Sequence, residues 1–145
     1  MTAFKLALGR AARAWLDART PFLAHGASRQ HGVDCVHLAH ALYEEAGLPL
    51  PPIPRAYFLD ESRHRPTDKL IGWIENTAEI EPVVLESDFP VGTLLCADIG
   101  LSPYHVAVVY ETNQAIHCLR HEGVCAVSVG DPLFERFLRA YRPQC

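Results

Sequence analysis

Several features that would assign this chain to a common class are missing. Basic residues are in deficit: 13 Lys and Arg stand against 17 Asp and Glu over 145 residues, a formal charge of −4. A protein that wraps duplex nucleic acid carries a basic surface, so no nucleic-acid partner is expected. No long apolar run is present either. The most apolar stretch, 91–110, is interrupted by Asp98, Pro103, His105 and two glycines. That falls short of the about 20 apolar residues of a membrane helix, and no membrane insertion is expected. The first residues lack the apolar core of a signal peptide, because Lys5, Arg10, Arg13 and Asp17 break it up. Synthesis in the cytoplasm without a signal peptide is the expectation. There is no glycine-rich phosphate loop and no strand–helix–strand alternation, which leaves a nucleotide-binding fold without support. Internal repeats and low-complexity runs are also absent.

Cysteine is present in an odd number. Cys35, Cys96, Cys118, Cys125 and Cys145 cannot all pair within one chain, and a disulfide framework is not expected without export. No CxxC pair occurs. Cys118, His121 and Cys125 have ligand-like spacing across a turn, but a structural zinc wants a fourth ligand, and no metal site is read here. The sequence calls for no cofactor.

What remains is an ordinary globular balance, 49% hydrophobic and 21% charged, at a length that suits one domain over 1–145. Phe4, Leu8, Ala11 and Trp15 recur at helical spacing, which predicts an amphipathic helix over 3–17. A second helix is predicted from Asp34, with Val36, Ala39, Leu42 or Tyr43, and Ala46 on its apolar stripe. Gly47 and the prolines from Pro49 to Pro54 end it. Residues 55–66 read as a basic surface loop (Arg55, Arg63, His64, Arg65). A short helix over 68–76 would bury Leu70, Ile71, Trp73 and Ile74. The second half changes to short Val- and Leu-rich segments at 93–98, 105–111, 114–119 and 124–129. A helical turn after Asp131-Pro132 and an edge strand over 139–142 complete the prediction. Helices followed by consecutive strands give the α+β class, with helices packed on an antiparallel sheet.

Cys35 is the most informative residue. It falls in the first turn of the predicted second helix, and Asp34 is placed to cap that helix. A thiol there feels the free amides and the positive end of the helix dipole, both of which favour thiolate. A nucleophilic cysteine needs a base, and His105, opening an apolar strand, is the candidate. His117 on the following strand could orient the His105 ring, as the third member of a triad does. Strand register decides this point. A two-residue turn at Thr112-Asn113 puts the two histidines on opposite faces, whereas an odd loop or a bulge puts them on one face.

These residues fall into a known pattern. Trp15-x4-Thr20-Pro21-Phe22-x2-His25-Gly26 leads through Gly32-Val33-Asp34-Cys35-Val36-x-Leu38 to Gly47-Leu48. Gly92-Thr93-Leu94-Leu95, His105-Val-Ala-Val-Val109 and Ile116-His117 follow. The chain resembles the NlpC-type cysteine peptidases of bacterial cell-wall metabolism, and in particular their small single-domain branch in phage and prophage tail modules. The resemblance covers nearly the whole chain. It implies a papain-like α+β fold with the nucleophile at a helix N-terminus, packed on an antiparallel sheet. It also implies hydrolysis of an amide in the peptide stem of peptidoglycan, delivered by phage-type tail proteins to the cell wall. By motif, Cys35 is the nucleophile, His105 the base and His117 the polar orienter, with Asp34, Phe22 and Val36 around the reacting carbonyl. Four positions depart from the family pattern. Val36 stands for the usual Ser, His37 for a frequent Gly, Thr93 for the Asp of a Gly-Asp pair, and Phe22 for a frequent Tyr. A structural tail-tip component, and an acyltransferase or thioesterase with the same Cys–His pair, are the competing readings. The latter requires an elongated apolar groove.

Overall fold

The computed structural model describes residues 2–53, 73–77, 79–83, 89–97, 105–134 and 137–144. The predicted loop 55–66, the first part of the predicted helix 68–76, and Cys145 lie outside the described residues.

Helix α1 spans Thr2–Ala18 and buries Leu8, Ala11, Ala12 and Trp15 along one stripe, as their spacing requires. Arg19 follows at φ 51°, a left-handed turn that ends the helix before Pro21. Two very short strands, β1 (Ala27–Ser28) and β2 (Gly32–Val33), pair with each other and lead into helix α2, Cys35–Glu45. Asp34 is its N-cap: the backbone is extended and the carboxylate accepts from the His37 amide at 2.8 Å. Gly47 at φ 98° closes its far end.

The remaining strands are β3 (Ile80–Val83), β4 (Leu94–Ala97), β5 (His105–Glu111), β6 (Gln114–Leu119), β7 (Gly123–Ser128) and β8 (Phe137–Pro143). They form one antiparallel sheet in the order β3-β8-β4-β5-β6-β7. The strand expected at the edge over 139–142 is therefore interior. It pairs with β3 on one side and β4 on the other, which explains why Ala140 and Tyr141 are buried. The expected helical turn after Asp131 is a single 3-10 turn, Pro132–Phe134.

Alternation along the strands divides the core in two. Leu94, Cys96, Val106, Val108, Ile116 and Cys118 face α1 and α2, while Leu95, Ala97, Ala107, Val109 and Ala115 face the other way and pack with Phe134. Tyr43 of α2 donates its hydroxyl to the Gly92 carbonyl at 2.8 Å, tying that helix to the approach to β4. Trp15 donates to Glu45 at 2.9 Å, and Arg29 pairs with Glu45 while its guanidinium lies 4.9 Å over the Trp15 ring. The loop carrying β1 and β2 is thus pinned against both helices.

The same loop is fixed from the sheet side. The Val124 amide donates to the Thr20 carbonyl at 2.9 Å, and Gly123 sits beneath it at φ 75°, where an added Cβ would lie 2.5 Å from that carbonyl oxygen. Gly123→Ala is expected to destabilise the fold by about 2 kcal/mol or more, combining a strained φ with a backbone clash. Gly130→Ala, whose Cβ would meet only the Ser128 hydroxyl at 3.7 Å, is expected to change stability by less than about 0.5 kcal/mol. Urea unfolding of the two variants checks this, and equal effects would contradict the close approach.

Candidate active site

The register of β5 against β6 decides what the two histidines can do. Val108 pairs with Ile116 and Val109 with Ala115, but the next pair is Glu111 with Gln114. Tyr110 is the extra residue of a bulge beside the Thr112-Asn113 turn, with Asn113 at φ 60°. The bulge restores the phase that a plain two-residue turn would lose. His105 and His117 therefore share the face of Ala107, and the His105 Nε2 lies 2.9 Å from the His117 Nδ1. Their rings meet edge to face, 5.0 Å between centroids, and Phe134 packs against His117 at 6.2 Å. Both histidines are buried.

The ladder between β5 and β6 runs no further than Val108 and Ile116. On β5, the amide and carbonyl of Val109 are both spent on the β4 side, with Thr93 and Gly92 as partners. Alternation turns the backbone groups of Val106 toward β6, where the ladder has ended. The Cys35 thiol occupies that place, with the Val106 amide as its hydrogen-bond donor. Alongside, the Cys118 thiol donates to the Val33 carbonyl at 3.2 Å. The start of α2 is thus wedged into the opening, with Cys35 against β5 and Val33 against β6. The thiol meets the residue that follows His105 in the chain. The Val106 amide is the member of this site that sequence reasoning did not name; the signal was the strand alternation, which needed the register to be read.

Asp34 is fully buried. Its carboxylate accepts from the His25 and His37 amides, each at 2.8 Å, and lies 3.0 Å from the His37 Nδ1. Phe22 forms a parallel bridge with Val33, flanked by the Leu23 amide donating to Val33 and the Val33 amide donating to Pro21. Its ring is partly buried, with the Arg120 guanidinium 5.6 Å above it. Val36 points into the core under α2. Phe22, Asp34, Cys35 and Val36 therefore gather at the start of α2, whereas His105 and His117 lie on the opposite face of the sheet with Ala107 and Phe134, and the neighbour of the thiol on β5 is the Val106 amide rather than an imidazole.

The electrostatics differ from the expectation of a stabilised thiolate. Burial pushes the Cys35 thiol well above its ordinary range, the Asp34 carboxylate adds to the rise, and the Val106 amide opposes both. Burial also lowers His105 to about 3, with His117 contributing, and lowers His117 to about 4 against an opposing pull from Asp131. The resting site holds a neutral thiol and two neutral imidazoles. The other described thiols are buried or half-buried, with Cys96 and Cys118 pushed up to about 12 and Cys125 to about 11, each mainly by burial. Cys118 and Cys125 have separate partners, Val33 and Glu122. Among the described residues no group of three His, Cys, Asp or Glu side chains is arranged to hold a metal ion. Among them, too, no helix is long and apolar enough to cross a membrane.

Comparison with known proteins agrees with this architecture. The NlpC/P60 family profile matches residues 19–142. No curated protein matches the chain significantly. Among solved structures, an NLP/P60-family lipoprotein-like protein of Staphylococcus aureus superposes with a TM-score of 0.65 at 18% identity, covering 98% of this chain and 42% of that one. An NlpC/P60 protein of Bacillus cereus gives 0.55 at 19%, covering 94% and 39%. The NlpC/p60 domain of the peptidoglycan hydrolase SagA gives 0.55 at 19%, covering 94% and 96%. The chain spans about two fifths of the first two proteins and nearly all of the third domain. It belongs to the NlpC/P60 family.

The two histidines give the fold a pH dependence of definite sign. Both have folded values below the 6.5 of a free imidazole, so the unfolded chain binds more protons in between. The stability held by the neutral pair is fully present above about pH 6.5 and drains as pH falls through about 4 toward about 3. Unfolding free energy is expected to drop by on the order of 2 kcal/mol or more between pH 7 and pH 4.5 on their account. A His105→Gln, His117→Gln double variant should show a visibly flatter profile in urea titrations. An unchanged slope would mean the histidines are not held neutral.

Proposed function

We propose that this NlpC/P60 chain is a cysteine peptidase that hydrolyses an amide bond in the peptide stem of bacterial peptidoglycan, with Cys35 as nucleophile, His105 as general base and acid, and His117 as the residue that positions His105. The observation that carries this reading is the buried His105–His117 contact at 2.9 Å, set beside a helix-N-terminal thiol that meets the Val106 amide.

The His117 contact uses the Nε2 of His105, so in this reading the Nδ1 is the nitrogen that takes the thiol proton once substrate brings the two groups together. The productive tautomer is then His105 Nε2–H donating to the His117 Nδ1. As the sulfur bonds to the scissile carbonyl carbon, its proton passes to the His105 Nδ1. The amide of Cys35 and a neighbouring amide at the start of α2 receive the oxyanion. Collapse breaks the C–N bond, and His105 returns the proton to the leaving amine. Water then attacks the thioester, giving one proton to His105. The acid product leaves and the thiol is regenerated. No redox step or resident metal is needed for this balance. Delivery on a phage-type tail belongs to the same reading and is supported by the sequence resemblance alone.

Purified peptidoglycan and a synthetic stem tetrapeptide are the substrates to use, with new free amino groups and fragment masses as the readout. Cys35→Ala is expected to abolish amine release while leaving the circular dichroism spectrum unchanged. His105→Ala should lower kcat by about 10²–10⁴-fold, and His117→Ala by less, with KM little affected. Phe22→Tyr, which restores a hydroxyl near the reacting carbonyl, should raise kcat. Amine release that survives Cys35→Ala would sink the assignment. An inert wild-type chain that binds tail proteins would favour the structural-component reading.

A further inference from the structure

Strand β6 ends at Leu119, and the turn that follows begins with Arg120. Side chains alternate along a strand, and Cys118 faces α2, where its thiol meets the Val33 carbonyl. Arg120, two residues on, emerges toward the same segment. Its guanidinium carbon lies 5.6 Å over the Phe22 ring, and Phe22 bridges Val33, two residues before the thiol. The turn itself is held in place. The Val124 amide donates to the Thr20 carbonyl, and Gly123 packs directly against that carbonyl. The backbones that carry Arg120 and Phe22 are therefore fixed relative to each other, at the approach to α2.

The charge of Arg120 is unmatched. Arg13, Arg29, Arg139 and Arg142 each pair with a glutamate. Arg120 is exposed and has no carboxylate partner among the described residues. The Phe22 ring attracts the cation but offers no lone pair to its N–H donors. Carboxylates on the adjoining segments are committed elsewhere. Glu122 meets the Cys125 thiol, and Asp34 is buried under the His25 and His37 amides. The chain as a whole carries a formal charge of −4, so an anionic ligand needs a local cation to approach it. A guanidinium fork matches a carboxylate bidentately, and the positive end of α2 acts in the same sense.

We infer that Arg120 is a specificity-determining residue: held over Phe22, its guanidinium takes a free carboxylate of a peptide lying across the start of α2. The inference rests on the peptidase reading and narrows its substrates to anionic peptides.

The synthetic stem tetrapeptide in its lysine form is compared with versions amidated at the internal carboxylate or at the C-terminus. For wild-type protein, one of the two amidations is expected to raise KM about five- to tenfold with kcat little changed, which identifies the carboxylate that Arg120 holds. Arg120→Gln should raise KM for the free acid to the level of that amide and so erase the discrimination. Arg120→Lys should keep part of it. A purely structural stack on Phe22 would instead shift all the peptides alike. The same ranking is read without hydrolysis, as Kd for the Cys35→Ala protein by calorimetry, with and without Arg120→Gln. Equal affinity for all the peptides, discrimination that survives Arg120→Gln, or no binding of any peptide would overturn the inference. Equal hydrolysis of all of them would do so while the peptidase reading stands. Arg120-dependent discrimination in Kd without any amine release would sink the peptidase reading and leave the carboxylate site.

Discussion

Strands β5 and β6 stop pairing at Val108 and Ile116, and the start of α2 fills the opening they leave. Unpaired ladder groups in a core cost free energy unless something else takes them up. Here the Cys35 sulfur takes the Val106 amide, and beside it the side-chain thiol of Cys118 donates to the Val33 carbonyl. The arrangement does two things at once. It brings a helix N-terminus with its free amides into the sheet, and it aligns the nucleophile candidate with the residue next to His105. The pinning of the β1–β2 loop by Arg29, Glu45 and Thr20 keeps that helix start in register with the opening. The Tyr110 bulge is the matching requirement on the strand side, because without it His117 would face away from His105.

Burial and helix polarity pull the thiol in opposite directions. A helix N-terminus stabilises a charge by about 0.3–1 kcal/mol in ordinary exposed settings. Removing a thiolate from water costs more than that, and the buried Asp34 carboxylate beside Cys35 adds like-charge repulsion. The same carboxylate is needed as the α2 cap. The cap that positions the thiol therefore also suppresses its ionisation. A neutral resting pair is compatible with catalysis if proton transfer to His105 accompanies attack rather than precedes it. A polar substrate group entering beside the thiol lessens the desolvation that holds both groups neutral.

Much of this was legible in the sequence because the relevant signals are local. Apolar periodicity located α1. Asp34 and Gly47 bracketed α2, and the bounds of β5 and β6 followed from turn residues on either side. What was not legible depends on partners distant in the chain. Residues 139–142 look like an edge strand because Arg139 and Arg142 punctuate them; pairing with β3 and β4 puts Ala140 and Tyr141 in the core regardless. Strands β1 and β2 are two residues each and carry no period. The histidine pair was named from the sequence, but its geometry waited on one bulged residue. The rise of the Cys35 thiol was hidden because burial is a tertiary property.

The departures from the family pattern gain a physical sense around Asp34. A glycine in place of His37 would leave the capping carboxylate without a side-chain neighbour on that flank. His37 brings its amide to 2.8 Å and its ring nitrogen to 3.0 Å from the same carboxylate oxygen, while the His25 amide holds the other. Val36, where a Ser is usual, has no hydroxyl to satisfy and packs into the core. Phe22 exchanges a hydroxyl for a ring that stacks under Arg120 and packs on the core. Each change removes a small polar group or a flexible position near the thiol and replaces it with packing or with a bond to Asp34. Together they make the first turn of α2 drier and more firmly held. That is the condition under which a buried thiol rests neutral, and under which its reactivity depends on the substrate that displaces its surroundings.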